Sequence, residues 1–233
     1  MDNSIENFYN KYSTKQVKKG VNLRHKTIHA KLVENGLSLN SNVLEIGCGI
    51  GTVSQLIAKT AKQGTIKAVD LSADSIKIAK NSLEQFKNIE FIHGDIITMD
   101  IQGNFDLIVL PDVIEHIPLE QHKQLFKKIS NLLNSKGKIC INIPDPYYLE
   151  WCHIHRKENL QIIDQPIYTN VLSENIDEAG LRIVSLESYG LWIKPCDYQF
   201  VILASKVDHF EDILFKPTFI KKVRFKIKKM LSR

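Results

Sequence analysis

Residues Val43 to Ser54 read VLEIGCGIGTVS, and the fold is decided there. Val43, Leu44 and Ile46 are apolar and mostly branched, as expected of a short strand buried on both faces of a parallel sheet. Gly47, Gly49 and Gly51 then follow at alternate positions, which lets the backbone turn sharply and approach a ligand with no Cβ in the way. Val53, Leu56, Ile57 and Ala61 fall at helical spacing and predict a helix over 52–62. Strand, glycine loop and helix N-terminus in succession make a nucleotide-type site with free backbone N–H groups.

The third glycine comes one residue too early for the dinucleotide pattern G-x-G-x-x-G. Glu45, just ahead of the first glycine, would repel a pyrophosphate but suits a ligand with an ammonium or hydroxyls. An acid followed by G-x-G-x-G resembles motif I of the class I S-adenosylmethionine-dependent methyltransferases. A tight structural turn is the alternative for the same residues.

Further along, Ile66 to Val69 lie in a second apolar strand over 65–69 that ends at Asp70 and Leu71. An acid there, about twenty residues beyond the loop, is where a ribose diol is held, because one carboxylate accepts from both hydroxyls. Ser72 is the expected N-cap of the following helix, which presents Ile76, Ala79, Leu83 and Phe86 on one face. A third strand over 89–93 runs into Asp95 and Ile96. In the resembled family an acid here bonds the adenine amino group while its apolar neighbour packs on the ring; a turn residue is the plainer alternative.

The fourth strand, within FDLIVLPDVIEHIP (105–118), delivers Leu110, Pro111, Asp112, Glu115 and His116 to the carboxyl edge, where open α/β sheets bind ligands. The stretch is similar to a segment of small-molecule methyltransferases that follows the glycine loop in the same order. Pro111 departs from that pattern and removes one backbone donor. A helix is expected over 119–134, a turn at Ser135-Lys136-Gly137 and a strand over 138–143. The irregular 144–167 segment is rich in aromatic and titratable groups and is the expected acceptor-binding insertion, since binding residues concentrate on loops held by a rigid sheet. A helix over 168–179 ended by Gly180 precedes two strands, 181–189 and 198–205, which make an antiparallel hairpin.

The resemblance spans residues 43–205. It implies a Rossmann-like α/β three-layer sandwich with a mostly parallel seven-stranded sheet, and S-adenosylmethionine as cofactor. Residues 1–205 form the expected domain, with an N-terminal arm and helix (1–36) over the cofactor. Tyr12 in the arm covers the ligand or simply anchors the arm, and Arg24 meets the methionine carboxylate or is solvated. The remaining implied cofactor contacts are Glu45, Gly47, Gly49, Gly51, Asp70, Leu71, Asp95, Ile96, Leu110 and Pro111. An alcohol or phenol acceptor must lose a proton, and His116 is the first candidate base because its unperturbed pKa is near neutrality, with His153 and His155 behind it. His116 capping a helix is the structural alternative. No metal is assigned.

The expected acceptor is a small molecule: a sugar, a lipid-linked saccharide or a quinone-like phenol. An NAD-dependent oxidoreductase and a non-catalytic cofactor-binding protein are the competing classes. The net charge of +5 is unevenly spread. Eight basic residues and no acid fall within 216–233, leaving the rest of the chain net acidic by three charges. This argues against a nucleic-acid partner and makes 206–233 a basic amphipathic tail able to touch an anionic membrane surface. Cys48, Cys140, Cys152 and Cys196 form no C-x-x-C pair, and neither a leader peptide nor a spanning segment is visible, so a cytoplasmic protein with reduced thiols is expected.

Overall fold

In the computed structural model, which describes residues 20–206, seven strands form one sheet in the order β3-β2-β1-β4-β5-β7-β6. They are β1 (Val43–Ile46), β2 (Ile66–Asp70), β3 (Ile89–His93), β4 (Phe105–Pro111), β5 (Leu133–Pro144), β6 (Leu181–Tyr189) and β7 (Tyr198–Ser205). β1 to β5 run parallel, while β7 lies antiparallel between β5 and β6. This is the expected mostly parallel sheet with a C-terminal hairpin, and the reversals of strand order leave a crevice at the carboxyl edge of β1, β2 and β4.

Every residue of β1 is buried, as its apolar run requires. Two apolar clusters, one on each face, fill the layers between sheet and helices; Leu44, Ile108, Phe126 and Ile141 belong to one, and Val43, Ile57, Leu107 and Phe200 to the other. Among the described residues six α-helices accompany the strands: α1 (Leu23–Glu34), which precedes β1, and α2 (Ser54–Thr60), α3 (Ala73–Ser82), α4 (His122–Ser130), α5 (Pro146–His155) and α6 (Thr169–Asp177). Ser72 caps α3, its side chain accepting from Ser75 N at 3.1 Å.

α1 begins with a reciprocal cap. Asn22 Oδ1 accepts from His25 N at 3.3 Å, and His25 Nδ1 accepts from Asn22 N at 3.2 Å. His25 Nε2 then lies 3.3 Å from Thr52 Oγ1, which ties the helix start to the glycine loop. Burial and the neighbouring Arg24 guanidinium push the His25 pKa down to about 4, so the imidazole is neutral and able to accept.

Three sequence expectations are corrected. The helix expected over 119–134 is a 3-10 turn at Leu119–Gln121 followed by the shorter α4. β5 starts at Leu133 rather than Lys138. The expected turn survives as an irregularity: β5 advances from Leu133 to Lys138 while β4 moves only from Phe105 to Leu107. The expected loop after β5 is largely helical. Asp145 is its N-cap, accepting from Tyr147 N at 3.1 Å and Tyr148 N at 3.3 Å, and Pro146 occupies the first turn, where a missing N–H costs nothing. The buried Asp145 carboxylate also accepts from Gln199 Nε2 at 3.1 Å and Ser188 Oγ at 3.4 Å, so α5 is fastened to the β6–β7 hairpin.

Tyr12, the rest of 1–19 and the basic stretch beyond Lys206 lie outside the described residues. Among the described residues no helix is long and apolar enough to cross a membrane.

Candidate active site

A cavity of about 350 Å³ opens at the carboxyl edge of the sheet, between the glycine loop and the turns that follow β2, β3 and β4. The loop is held by the neighbouring strand: Gly47 N and Cys48 N both donate to Val69 O, at 2.8 and 3.0 Å. Gly47 has φ +72°, and a Cβ there would overlap Val113 Cγ2, so only glycine fits the conformation and the contact together.

Asp70 is the pivot of this wall. Its Oδ2 accepts from Gly49 N at 2.7 Å and its Oδ1 from Ser72 N at 2.8 Å. Burial raises its pKa, and these two N–H groups oppose the rise. The carboxylate is therefore locked in orientation, with one lone pair on each oxygen left over for hydroxyl donors. Leu71, Asp95 and Ile96 continue the wall. Asp95 closes its own turn, Oδ1 accepting from Ile97 N at 2.9 Å.

Arg24 reaches the cavity from α1, and its Nη1 pairs with Asp112 Oδ2 at 2.7 Å. Asp112 has φ +58°, unusual for a residue other than glycine, and Asn142 Nδ2 donates to its Oδ1 at 2.6 Å. Tyr189 Oη in turn donates to Asn142 Oδ1 at 2.6 Å.

His116, from the turn after β4, also lines the cavity. Its Nδ1 is 2.5 Å from Ile163 O, an atom that only accepts, so Nδ1 carries the proton and Nε2 the lone pair. That lone pair meets Gln161 Nε2 at 3.0 Å, and Asp164 Oδ1 stands 3.3 Å from Nδ1. Behind it, Glu115 is buried, and its carboxyl is held well above the usual range, first by burial and then by the Asp112 charge.

Of the residues singled out in the sequence, Arg24, Gly47, Gly49, Asp70, Leu71, Asp95, Ile96, Pro111 and His116 line this cavity together. The others stand elsewhere. Glu45 is fully buried, its Oε2 accepts from Ser54 Oγ at 2.6 Å, and burial raises its pKa to about 8, against that hydrogen bond and with help from Asp70. It lies behind the loop because β1 is covered on both faces. Gly51 supports packing: at φ +84°, a Cβ would stand 2.6 Å from Leu83 Cδ1. Leu110 is fully buried in the core. His153 and His155 are exposed on α5, His153 Nε2 2.7 Å from Asp164 O and His155 4.9 Å from Trp151 between ring centroids. Gln121 and Gln161 also line the cavity and were not foreseen. Glutamine in a turn carries no positional signal, and only the pairing of Gln161 with His116 reveals it.

A family model described as "Methyltransferase domain" matches residues 37–180, more than half of the chain. The chain is 25% identical over 179 residues to phosphoethanolamine N-methyltransferase from Plasmodium falciparum, covering 76% of this chain and 61% of that protein. It is 34% identical over 116 residues to a ubiquinone biosynthesis O-methyltransferase of Coxiella burnetii, 48% of this chain and 47% of that one. The chain thus spans about half to three fifths of the length of these curated relatives. Among solved structures, an S-adenosylmethionine-dependent methyltransferase from Clostridium acetobutylicum shares the fold with TM-score 0.65 at 18% identity, over 85% of this chain and 99% of that one. A magnesium protoporphyrin IX methyltransferase from Synechocystis with bound S-adenosylhomocysteine does so with TM-score 0.61 at 16% identity, over 82% and 87%.

Proposed function

We propose, on the premise that this chain belongs to the methyltransferase domain family, that it moves a methyl group to a hydroxyl oxygen of a small-molecule acceptor with His116 as general base. S-adenosylmethionine is the cofactor of this family, and the family match sets aside the nicotinamide oxidoreductase alternative. When bound, it supplies a methyl carbon that the acceptor oxygen takes while the bond electrons stay on the positively charged sulfur.

The cavity wall suits such a group. Asp70 offers two fixed lone pairs to a ribose diol, and Asp95 with Leu71 and Ile96 offers an acid and apolar faces to a purine. The glycine loop keeps side chains out of the way there. Arg24 is the cationic side chain on this wall and would hold a carboxylate, in exchange with or alongside Asp112. With donor and acceptor confined to one cavity, the protein's main contribution is alignment at near-contact distance.

His116 then does the proton work. Its Nε2 lone pair, which meets Gln161 when no acceptor is bound, accepts the acceptor's hydroxyl proton as the oxygen takes the methyl group. The Ile163 carbonyl and Asp164 carboxylate flank Nδ1, which fixes the tautomer and the orientation of the ring. Such general base catalysis contributes roughly 10²- to 10⁴-fold. The contact of His116 Nδ1 with the Ile163 carbonyl, at a residue that lines the cavity, is the observation that carries the oxygen reading, because an amine acceptor with a free lone pair has no comparable need of a base.

The test is methyl transfer by the purified chain from S-adenosylmethionine to a panel of hydroxyl acceptors (sugars, phenols) and matched amines, read as S-adenosylhomocysteine release and product mass. O-methylated products are expected. Turnover of amines alone would refute the oxygen assignment, and donor binding without turnover of any panel member would favour a non-catalytic protein.

A further inference from the structure

Around His116 the cavity carries an imbalance of hydrogen-bonding groups. Gln121 Oε1 and Gln161 Oε1 are both buried and have no hydrogen-bond partner among the described residues, although both side chains line the cavity. Buried carbonyl oxygens almost always find a donor, because water cannot reach them to compensate. What this wall wants is donors.

Gln161 shows why its oxygen is unpaired. Ile163 O fixes the proton on His116 Nδ1, so His116 Nε2 can only accept, and the Gln161 amide must present its nitrogen there, at 3.0 Å. That choice turns Oε1 the other way, toward no donor. The terminal torsion of a glutamine side chain is soft and broad. Turning it would release the histidine lone pair and bring the carbonyl oxygen to the cavity in one motion. Asp112, an acid that also lines the cavity, is already engaged by Arg24 and Asn142.

We propose that Gln161 determines acceptor specificity by exchanging partners when the acceptor enters: one hydroxyl replaces its amide N–H at His116 Nε2, and a neighbouring hydroxyl donates to its freed Oε1. The acceptor is then a vicinal diol, aliphatic as in a sugar or aromatic as in a catechol, with Gln121 Oε1 available to a further hydroxyl. A monohydroxy compound would uncap His116 but leave the amide oxygen unpaired. Sites built to bond a substrate hydroxyl discriminate strongly against analogues lacking it. This inference rests on the reading of His116 as the base.

The experiment uses the full chain with two diol probes, catechol and methyl glucopyranoside, and their monohydroxy counterparts, phenol and cyclohexanol. Binding is measured calorimetrically in the presence of S-adenosylhomocysteine, and methylation with S-adenosylmethionine. One diol is expected to bind and to be methylated with kcat/KM at least ~100-fold above its counterpart, and the responding arm tells a sugar-like from a catechol-like acceptor. Gln161→Leu should bring the diol down to the monohydroxy level with the Kd for S-adenosylhomocysteine unchanged, whereas Gln161→Glu, which keeps an acceptor oxygen, should keep the preference. Equal use of diol and monohydroxy compounds, binding of neither diol, or an undiminished preference in Gln161→Leu would overturn the proposal. Failure of the base reading looks different: His116→Gln would then methylate the diol at the wild-type rate while the diol preference and its dependence on Gln161 persisted.

Discussion

Replacing Asp70 with alanine removes the acceptor that organises the donor side of the cavity, and the cost has two separable parts. In the free protein, Gly49 N and Ser72 N lose the carboxylate oxygens that accept from them at 2.7 and 2.8 Å, which loosens the glycine loop and the start of α3. In the bound state, the ribose hydroxyls lose their shared acceptor. Hydrogen bonds to a charged group are worth roughly 1.5–3 kcal/mol, and both hydroxyls exchange water for this carboxylate. A net loss of about 2–3 kcal/mol follows, or roughly 30- to 150-fold in Kd. Isothermal titration of S-adenosylhomocysteine measures this, with thermal unfolding alongside to record the structural part. Asp70→Asn sharpens the test: its amide nitrogen must face the Gly49 or the Ser72 N–H, so it too should lose both stability and affinity despite its identical shape. A well-folded Asp70→Ala protein with affinity within twofold of wild type would refute the placement of the ribose.

The buried acid at Glu45 gives a pH signature. Its pKa rises from 4.5 in the open chain to about 8 in the fold, so folding takes up a proton between those values and stability falls as pH rises through that window. The difference in Tm between Glu45→Gln and wild type should therefore widen in the mutant's favour from pH 5 to pH 8 and flatten above; a constant difference would contradict the burial argument. His116→Gln should lower kcat by roughly 10²-fold or more with donor affinity unchanged, as read by calorimetry and steady-state rates. Gly51→Ala forces a Cβ against Leu83 Cδ1 at φ +84°, and should cost about 1–3 kcal/mol in chemical denaturation.

Where periodicity and backbone chemistry agree, the sequence was sufficient to read the fold. The hairpin strands 181–189 and 198–205 are found with those limits, and Ser72 caps its helix as read. The α5 helix escaped because its aromatic residues hide any apolar stripe, although Asp145-Pro146 is a strong start motif. That miss misplaced His153 and His155, which a helix turns outward to solvent. Glu45 is expected at the ligand from its place beside the loop, and the structure puts its carboxyl in the core, because β1 is covered on both faces. Pairs such as Arg24 with Asp112, or His116 with Gln161, join segments far apart in the chain, and no local pattern announces them.

Asp145 has one further consequence. By holding the first turn of α5 to Gln199 and Ser188, it makes that helix an appendage of the hairpin rather than of the strands that carry Asp70 and Asp95. What sits over the far end of β6 and β7 can therefore be remodelled while Asp70 and Asp95 keep their places, provided that Tyr189 still reaches Asn142. Chimeras that exchange everything after Ile143 between relatives are the direct way to see that independence.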